Sequence, residues 1–251
     1  MPREFIIQER TLGKGVAVLE RLGWEILERL EGLDVPELDL DEERGWVKVR
    51  VSGPDEEVAE NLLIRLYGRV PSINEVKEGD EFRGYLVDVG KVGYGLYFKS
   101  FLEDKDALYP LYQMRKQLVG GKKAPARAIA RAYGLVDGIA LQLRVIKVEP
   151  EGVSVEISPR QLGLIKSIVY QELEALFVIG ATPKELERAL VRTGHKRDVR
   201  VRRLSFLSHM LICKRGTQAK GLIPRLGPYL PGAVLSAFTW SKVRNLYEAN
   251  F

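Results

Sequence analysis

Between residues 75 and 158 the chain carries five short β-rich segments punctuated by glycine, at 81–89, at 93–100, around Leu108, at 139–148 and at 153–157. Strands this short, in this number and with this spacing, predict a small closed barrel, because closure removes the free edges that a five-stranded flat sheet would leave. Between the third and fourth strands lies 112–136. It holds Arg115, Lys116, Lys122, Lys123, Arg127 and Arg131, with no acid until Asp137, and Gly120-Gly121 marks a flexible tip. We read it as a long basic loop.

The flanks differ from this centre. In 1–72, a strand over 4–8 is followed by a helix over 13–31, with Val16, Leu19, Leu22, Ile26, Leu27 and Leu30 at helical spacing and Gly32 as its stop. Residues 46–51 alternate apolar and polar, as a strand with one wet face does. Pro54 followed by Asp55, Glu56 and Glu57 opens a second helix, to Tyr67. This reads as a β-α-β-α domain, with Asp39, Asp41, Glu42 and Glu43 in a solvated loop. In 159–251, a helix is expected over 159–180 from the stripe Leu162, Ile165, Ile168, Val169, Leu173, Leu176 and Phe177. Thr182-Pro183-Lys184-Glu185 has the capping-box pattern and opens another helix, which ends at Gly194. Strands are expected over 199–206, 209–214, 219–223 and 233–240, an order that can be read as a degenerate OB-like half. The fold class is therefore α+β in three domains: 1–72, an acidic α+β domain; 75–158, the barrel with its basic loop; and 159–251, a basic helix-plus-β domain.

Charge divides along the same lines. Residues 1–70 hold 10 Lys/Arg against 16 Asp/Glu, 71–158 hold 13 against 12, and 159–251 hold 16 against 6, within a total of +5. The stretch 192–225 contains ten Lys/Arg and one acid, Asp198. Alternation along Arg200, Val201 and Arg202 sets arginine on one strand face, and Arg203, Lys214, Arg215 and Lys220 extend the cationic run. An acidic head and a basic tail point to a polyanion as the tail's partner.

Other classes drop out. Cys213 is the single cysteine, which excludes a disulfide framework and a multi-cysteine zinc or iron–sulfur site. There is no phosphate-loop motif, dinucleotide fingerprint, nucleophile elbow or paired-histidine zinc pattern, and only His195 and His209 are present. We therefore expect no enzyme, no cofactor and no metal. No apolar run approaches the roughly 18 residues of a membrane span. The opening Met1-Pro2-Arg3-Glu4 has no signal-peptide core, so a cytoplasmic location is expected. Four Asn and seven Gln beside abundant charge lean toward a thermophile.

The central segment resembles the S1-type OB-fold RNA-binding domain. The pieces that carry the likeness are Gly79 to Gly84, the strand Leu86-Val87-Asp88-Val89, the stretch Tyr94-Gly95-Leu96-Tyr97-Phe98, the stretch Asp106-Ala107-Leu108-Tyr109, and the close from Gly138 through 141–148 to Ser158. Asp106 stands where the family has Gly, and Tyr109 where it has His. The whole chain resembles an archaeal family of uncharacterised proteins with an S1-like centre, a likeness that brings no activity with it. The S1 resemblance implies that Tyr94, Tyr97 and Tyr109 form a base-stacking platform, flanked by charge from Lys99 and Arg144. Tyr97 and Phe98 are strand neighbours and face opposite ways, so one of them belongs to the core. The expected function is a non-enzymatic RNA (or single-stranded nucleic acid) binding protein associated with the translation or transcription machinery. The alternative is a protein-interaction module that docks on a ribonucleoprotein or polymerase without binding free nucleic acid.

Overall fold

The structure, a computed structural model, describes residues 2–248. The chain divides into two units, Met1–Ser72 and Ile73–Phe251. In the first, strand β1 (Arg3–Arg10) leads into helix α1 (Val16–Arg29), then strands β2 (Glu37–Glu43) and β3 (Trp46–Ser52), and helix α2 (Glu56–Tyr67). The sheet runs β1-β3-β2, all antiparallel. Phe5, Ile7, Val47, Val49 and Val51 are buried, as are Leu22 and Ile26 of α1 and Leu63 of α2. The order is thus β-α-β-β-α, not β-α-β-α. The run of acids expected in a loop is strand β2. It is joined to β3 by the two-residue turn Arg44-Gly45, both at positive φ (53° and 80°), the geometry that matches the twist of a tight hairpin. Its acids share the wet face with cations of β3: Glu43 lies 3.8 Å from Lys48 Nζ and Asp39 3.9 Å from Arg50 Nη1, and Glu4 of β1 holds the same two cations at 2.8 and 2.7 Å.

The second unit begins with the barrel. Strands β4 (Glu81–Val87), β5 (Gly95–Lys99), β6 (Asp106–Pro110), β7 (Ala140–Glu149) and β8 (Gly152–Ile157) close in the order β4-β5-β6-β8-β7. β6 and β8 are parallel, and every other pair is antiparallel. This is an OB-like barrel. Its interior is filled by Phe82, Leu86, Leu96, Phe98, Leu143, Val155 and Ile157, all buried.

The stretch between β6 and β7 is folded, not a long loop. Helices α3 (Leu111–Leu118) and α4 (Ala126–Ala132) occupy it, joined by a turn through Gly120-Gly121. Met114, Leu118, Ile129 and Ala130 are buried, so the segment has an apolar face that the run of cations conceals in the sequence.

Helix α5 (Pro159–Tyr170) follows, capped by Ser158, whose hydroxyl accepts from the Gln161 amide. It stops ten residues short of the expected end. Residues Ala175–Ile179 form a strand instead, β9, buried at every position. A continuous apolar run has no period that separates a buried helix from a fully buried strand. Helix α6 (Pro183–Arg192), with the capping box of Thr182 and Glu185, precedes β10 (Val199–Arg203) and β11 (Ser208–Cys213). Helix α7 (Ala219–Leu226), β12 (Val234–Phe238) and α8 (Trp240–Glu248) complete the described residues. The expected strand over 219–223 is thus helical. The sheet is antiparallel in the order β10-β11-β9-β12. This half is an open βαββαβ unit of ferredoxin-like order, not a degenerate OB-like barrel.

One face of that sheet packs against α6 and α7 through Leu176, Val178, Leu211 and Cys213. The other carries Phe177, Ile179, Met210 and Ile212, also buried. It meets the barrel side of the unit, where Ser208 Oγ accepts from the Ala140 amide at 3.2 Å. Ser236 Oγ donates to the Gly134 carbonyl at 2.8 Å, and the Tyr133 and Phe238 rings lie 5.1 Å apart. No helix among the described residues is long and apolar enough to cross a membrane.

Candidate nucleic-acid interface

Side chains alternate inward and outward along a barrel strand, so register decides which candidates reach the surface. On β5, Leu96 and Phe98 point inward and Tyr97 outward. Tyr94, just before β5, is 56% exposed. The two tyrosine hydroxyls are 2.7 Å apart, and the rings meet edge-to-face with centroids 6.2 Å apart. That hydrogen bond, reinforced by partial burial, raises the Tyr97 phenol to about 12. In Tyr94→Phe the Tyr97 titration is expected to fall back toward the ordinary phenol value of about 10, as followed by ultraviolet absorbance. An unchanged titration would show that the hydroxyl pair does not form in solution. Tyr112, 62% exposed, lies one residue beyond the point where the Leu111 amide donates to the Tyr94 carbonyl at 2.8 Å. The sequence reading missed Tyr112 because it took α3 for loop.

Tyr109 is not part of this face. Ala107 and Tyr109 are the inward positions of β6, and Tyr109 is fully buried. Its hydroxyl donates to Gln117 Oε1 at 2.8 Å, and burial pushes its phenol well above the usual range. Gln117 Nε2 in turn donates to Glu156 Oε2 at 3.1 Å and to the Ile157 carbonyl at 2.9 Å. Gln113 Nε2 reaches the same carboxylate oxygen at 3.1 Å, and Arg144 Nε donates to Glu156 Oε1 at 2.9 Å. Arg144 is therefore committed to Glu156, the carboxylate through which Gln113 and Gln117 tie α3 onto the barrel. Lys99 is likewise engaged, 2.5 Å from Asp104 and 3.3 Å from Asp106. Neither supplies free charge beside the tyrosines.

The remaining cations sort by partner. Arg115 Nε donates to the Ala124 carbonyl at 3.0 Å and braces the α3–α4 turn. Arg127 Nε donates to the Gly90 carbonyl at 2.7 Å and ties α4 to the loop between β4 and β5. Lys116, Lys122, Lys123 and Arg131 are exposed, and none stands in an ion pair among the described residues. The same holds for Arg200, Arg202, Lys214, Arg215 and Lys220 on the C-terminal sheet side. Arg203 is exposed, its guanidinium 5.4 Å from the Phe206 ring centre. Arg202 and Arg203 also line a cleft of about 600 Å³ with Arg83 and Arg160, two residues that the sequence reading did not single out.

The two histidines and the cysteine of the C-terminal half are each partnered or buried. His209 Nε2 meets the Ala181 carbonyl at 2.9 Å, His195 Nδ1 meets Asp198 at 2.7 Å, and burial pushes the Cys213 thiol up to about 12. The β9–β11 face turned away from α6 and α7 is internal.

Family models match three consecutive stretches: the DUF2110 N-terminal domain over residues 10–73, the DUF2110 central domain over 76–169 and the DUF2110 C-terminal domain over 173–238. The chain belongs to the DUF2110 family. No curated protein matches it. In this DUF2110 chain the central match spans the barrel, the α3–α4 insertion and nearly all of α5, and the C-terminal match spans β9 through β12. The match over the barrel is to the family's own central domain; what this stretch shares with S1 domains is the OB-like strand order.

Proposed function

We propose that the second unit binds single-stranded RNA without catalysing its turnover, in association with the translation or transcription machinery. One observation carries this reading: nine exposed lysines and arginines, four on the insertion and five on the C-terminal half, have no carboxylate partner among the described residues. In the first unit, by contrast, Arg3, Lys48 and Arg50 are each held by glutamates. Unpartnered cations beside an OB-like barrel suit a phosphate backbone, whose binding releases condensed counterions. Tyr94, Tyr97 and Tyr112 supply ring faces for bases, each worth about 1–3 kcal/mol.

The test is fluorescence anisotropy with a short unstructured RNA across a salt series. Affinity is expected to fall steeply with salt, with a log–log slope near −0.7 for each phosphate neutralised. Lys122→Ala/Lys123→Ala is expected to flatten that slope by about 1.4, and Tyr94→Ala/Tyr97→Ala to weaken binding tenfold or more at every salt concentration. Absence of binding at low salt overturns the proposal. The protein-docking alternative then takes its place, and it has its own observation: on α1, Trp24 and Leu27, one turn apart, are 67% and 46% exposed, apolar side chains on the acidic unit of the kind that anchor partner proteins.

A further inference from the structure

Strand β10 is paired with β11 alone, and the pairing alternates along it. The Lys214 amide donates to the Asp198 carbonyl at 2.9 Å, and the Leu204 amide to the Ser208 carbonyl at 2.9 Å. In antiparallel register, those two bonds turn the main-chain groups of the even-numbered residues toward β11. The odd-numbered ones, Val199, Val201 and Arg203, present theirs to the open edge. Val199 is buried, but Val201 is 44% exposed, and neither its amide nor its carbonyl has a partner among the described residues. An exposed strand edge of this kind is a template for a further strand.

The side chains on either side of Val201 are cations. Arg200 and Arg202 are exposed and stand in no ion pair among the described residues. They share one face of the sheet with Ile212 and Met210, their register partners on β11. The order Arg200-Val201-Arg202 has a counterpart in the first unit. On β3, Lys48-Val49-Arg50 carries the same cation–valine–cation pattern, and there it is covered. Asp41, Leu40 and Asp39 of β2 stand opposite those three residues in antiparallel register, with Asp39 3.9 Å from Arg50 Nη1. The molecule thus shows which strand such a pattern accepts, acid–apolar–acid, and leaves β10 without one.

We infer that the open edge of β10 takes an extended acidic segment of a partner protein as an added antiparallel strand. The partner residue opposite Val201 exchanges both main-chain hydrogen bonds with it and is apolar. Its two neighbours carry carboxylates and stand opposite Arg200 and Arg202. Those are non-hydrogen-bonded positions, where facing side chains approach most closely and opposite charges stabilise the pair. In strand addition the main-chain bonds give affinity, and the alternate side chains choose the partner. The same arginines repel a second β10, so the edge admits an acidic strand and refuses a copy of itself. This docking edge goes beyond the RNA reading and does not rest on it, since it involves neither the tyrosine face nor the cations of the α3–α4 insertion.

The full chain is titrated with three short peptides: one alternating glutamate and valine, one of the same composition with the acids clustered, and the alternating one N-methylated on every second amide so that it cannot donate to the edge. Hydrogen exchange of the Val201 amide is followed by nuclear magnetic resonance. The alternating peptide is expected to bind about tenfold tighter than either control and to slow Val201 exchange about tenfold. Arg200→Glu/Arg202→Glu is expected to abolish both effects, and because both side chains are exposed the variant keeps its fold. Equal binding of the N-methylated or clustered peptide, or binding that leaves Val201 exchange unchanged, overturns the inference. Self-association of the free chain that the double variant dissolves gives the edge to a second copy and overturns it as well. If a short unstructured RNA binds and no peptide does, the inference falls and the proposed function stands. If the alternating peptide binds and protects Val201 while RNA does not bind, the proposed function alone falls.

Discussion

Replacing Glu156 with leucine is expected to lower the stability of the second unit by about 3 kcal/mol, read as a fall of roughly 6–12 °C in its thermal midpoint. The Glu156 side chain is 8% exposed and accepts from Gln113, Gln117 and Arg144. Leucine keeps much of the volume but removes every acceptor. Two buried amides and a half-exposed guanidinium then face an apolar group, and breaking such a cluster from one side costs more than the cluster contributes when whole. Glu156→Gln, which keeps one acceptor oxygen, is expected to lose about half as much. Calorimetric melts check both, and a shift below 2 °C for the leucine variant would mean that the network is not closed in solution. Because the Glu156 charge adds to burial in raising the Tyr109 phenol, the leucine variant is also expected to bring that phenol part of the way back toward its ordinary range.

Gly134→Ala is expected to be at least as damaging, at about 3 kcal/mol or more. Gly134 sits at φ +64°, a conformation that costs a residue with a Cβ roughly 1–2 kcal/mol. A Cβ there would stand 2.8 Å from the carbonyl carbon and oxygen of Ala237 and 2.9 Å from the Phe238 amide nitrogen. These are backbone atoms of β12 and have no rotamer through which to escape. The linker after α4 must therefore move away from the sheet, breaking the Ser236–Gly134 hydrogen bond and the Tyr133–Phe238 contact. A calorimetric trace in which only the second unit's transition moves is the expected result. An unchanged midpoint would show that this junction is looser than described.

The barrel was legible because each strand is short, alternates, and ends at a glycine or turn residue; only its order in space had to come from the structure. The α6 capping box was legible for a similar reason, since Thr182, Pro183 and Glu185 act within one turn. What failed was every element whose signal depends on distant packing. β9 is a run of five apolar residues that reads equally well as helix, and it is a strand because β11 and β12 flank it. β2 is concealed by its acids, which meet the cations of β3 only once the hairpin has formed, and by the Arg44-Gly45 turn, where arginine takes a conformation usually left to asparagine or glycine. The α3–α4 insertion is concealed by its cations, because its buried face mixes glutamines on α3 and small alanines on α4 with only a few large apolar residues. In the candidate site, Tyr94 and Tyr97 lie toward the surface, whereas Tyr109 is inward, a matter of strand parity that the S1 resemblance alone does not supply. Arg83 and Arg160 lie far apart in the chain, and only the meeting of β4, α5 and β10 lines one cleft with both.

β10 is the outermost strand of its sheet, bonded to β11 on one side only. Its free edge carries Arg200, Arg202 and Arg203, all exposed. Two molecules that tried to join these edges would bring six guanidiniums together across a spacing of about 4.8 Å. The arginines thus also act as a guard against self-association, keeping the sheet from growing by one copy after another. A polyanion seated along the same edge screens that guard, so saturating ligand and concentrated protein together favour clustering, whereas either alone leaves the molecules dispersed. Variants made to abolish binding there retain colloidal stability with glutamate in place of arginine and forfeit it with leucine or valine.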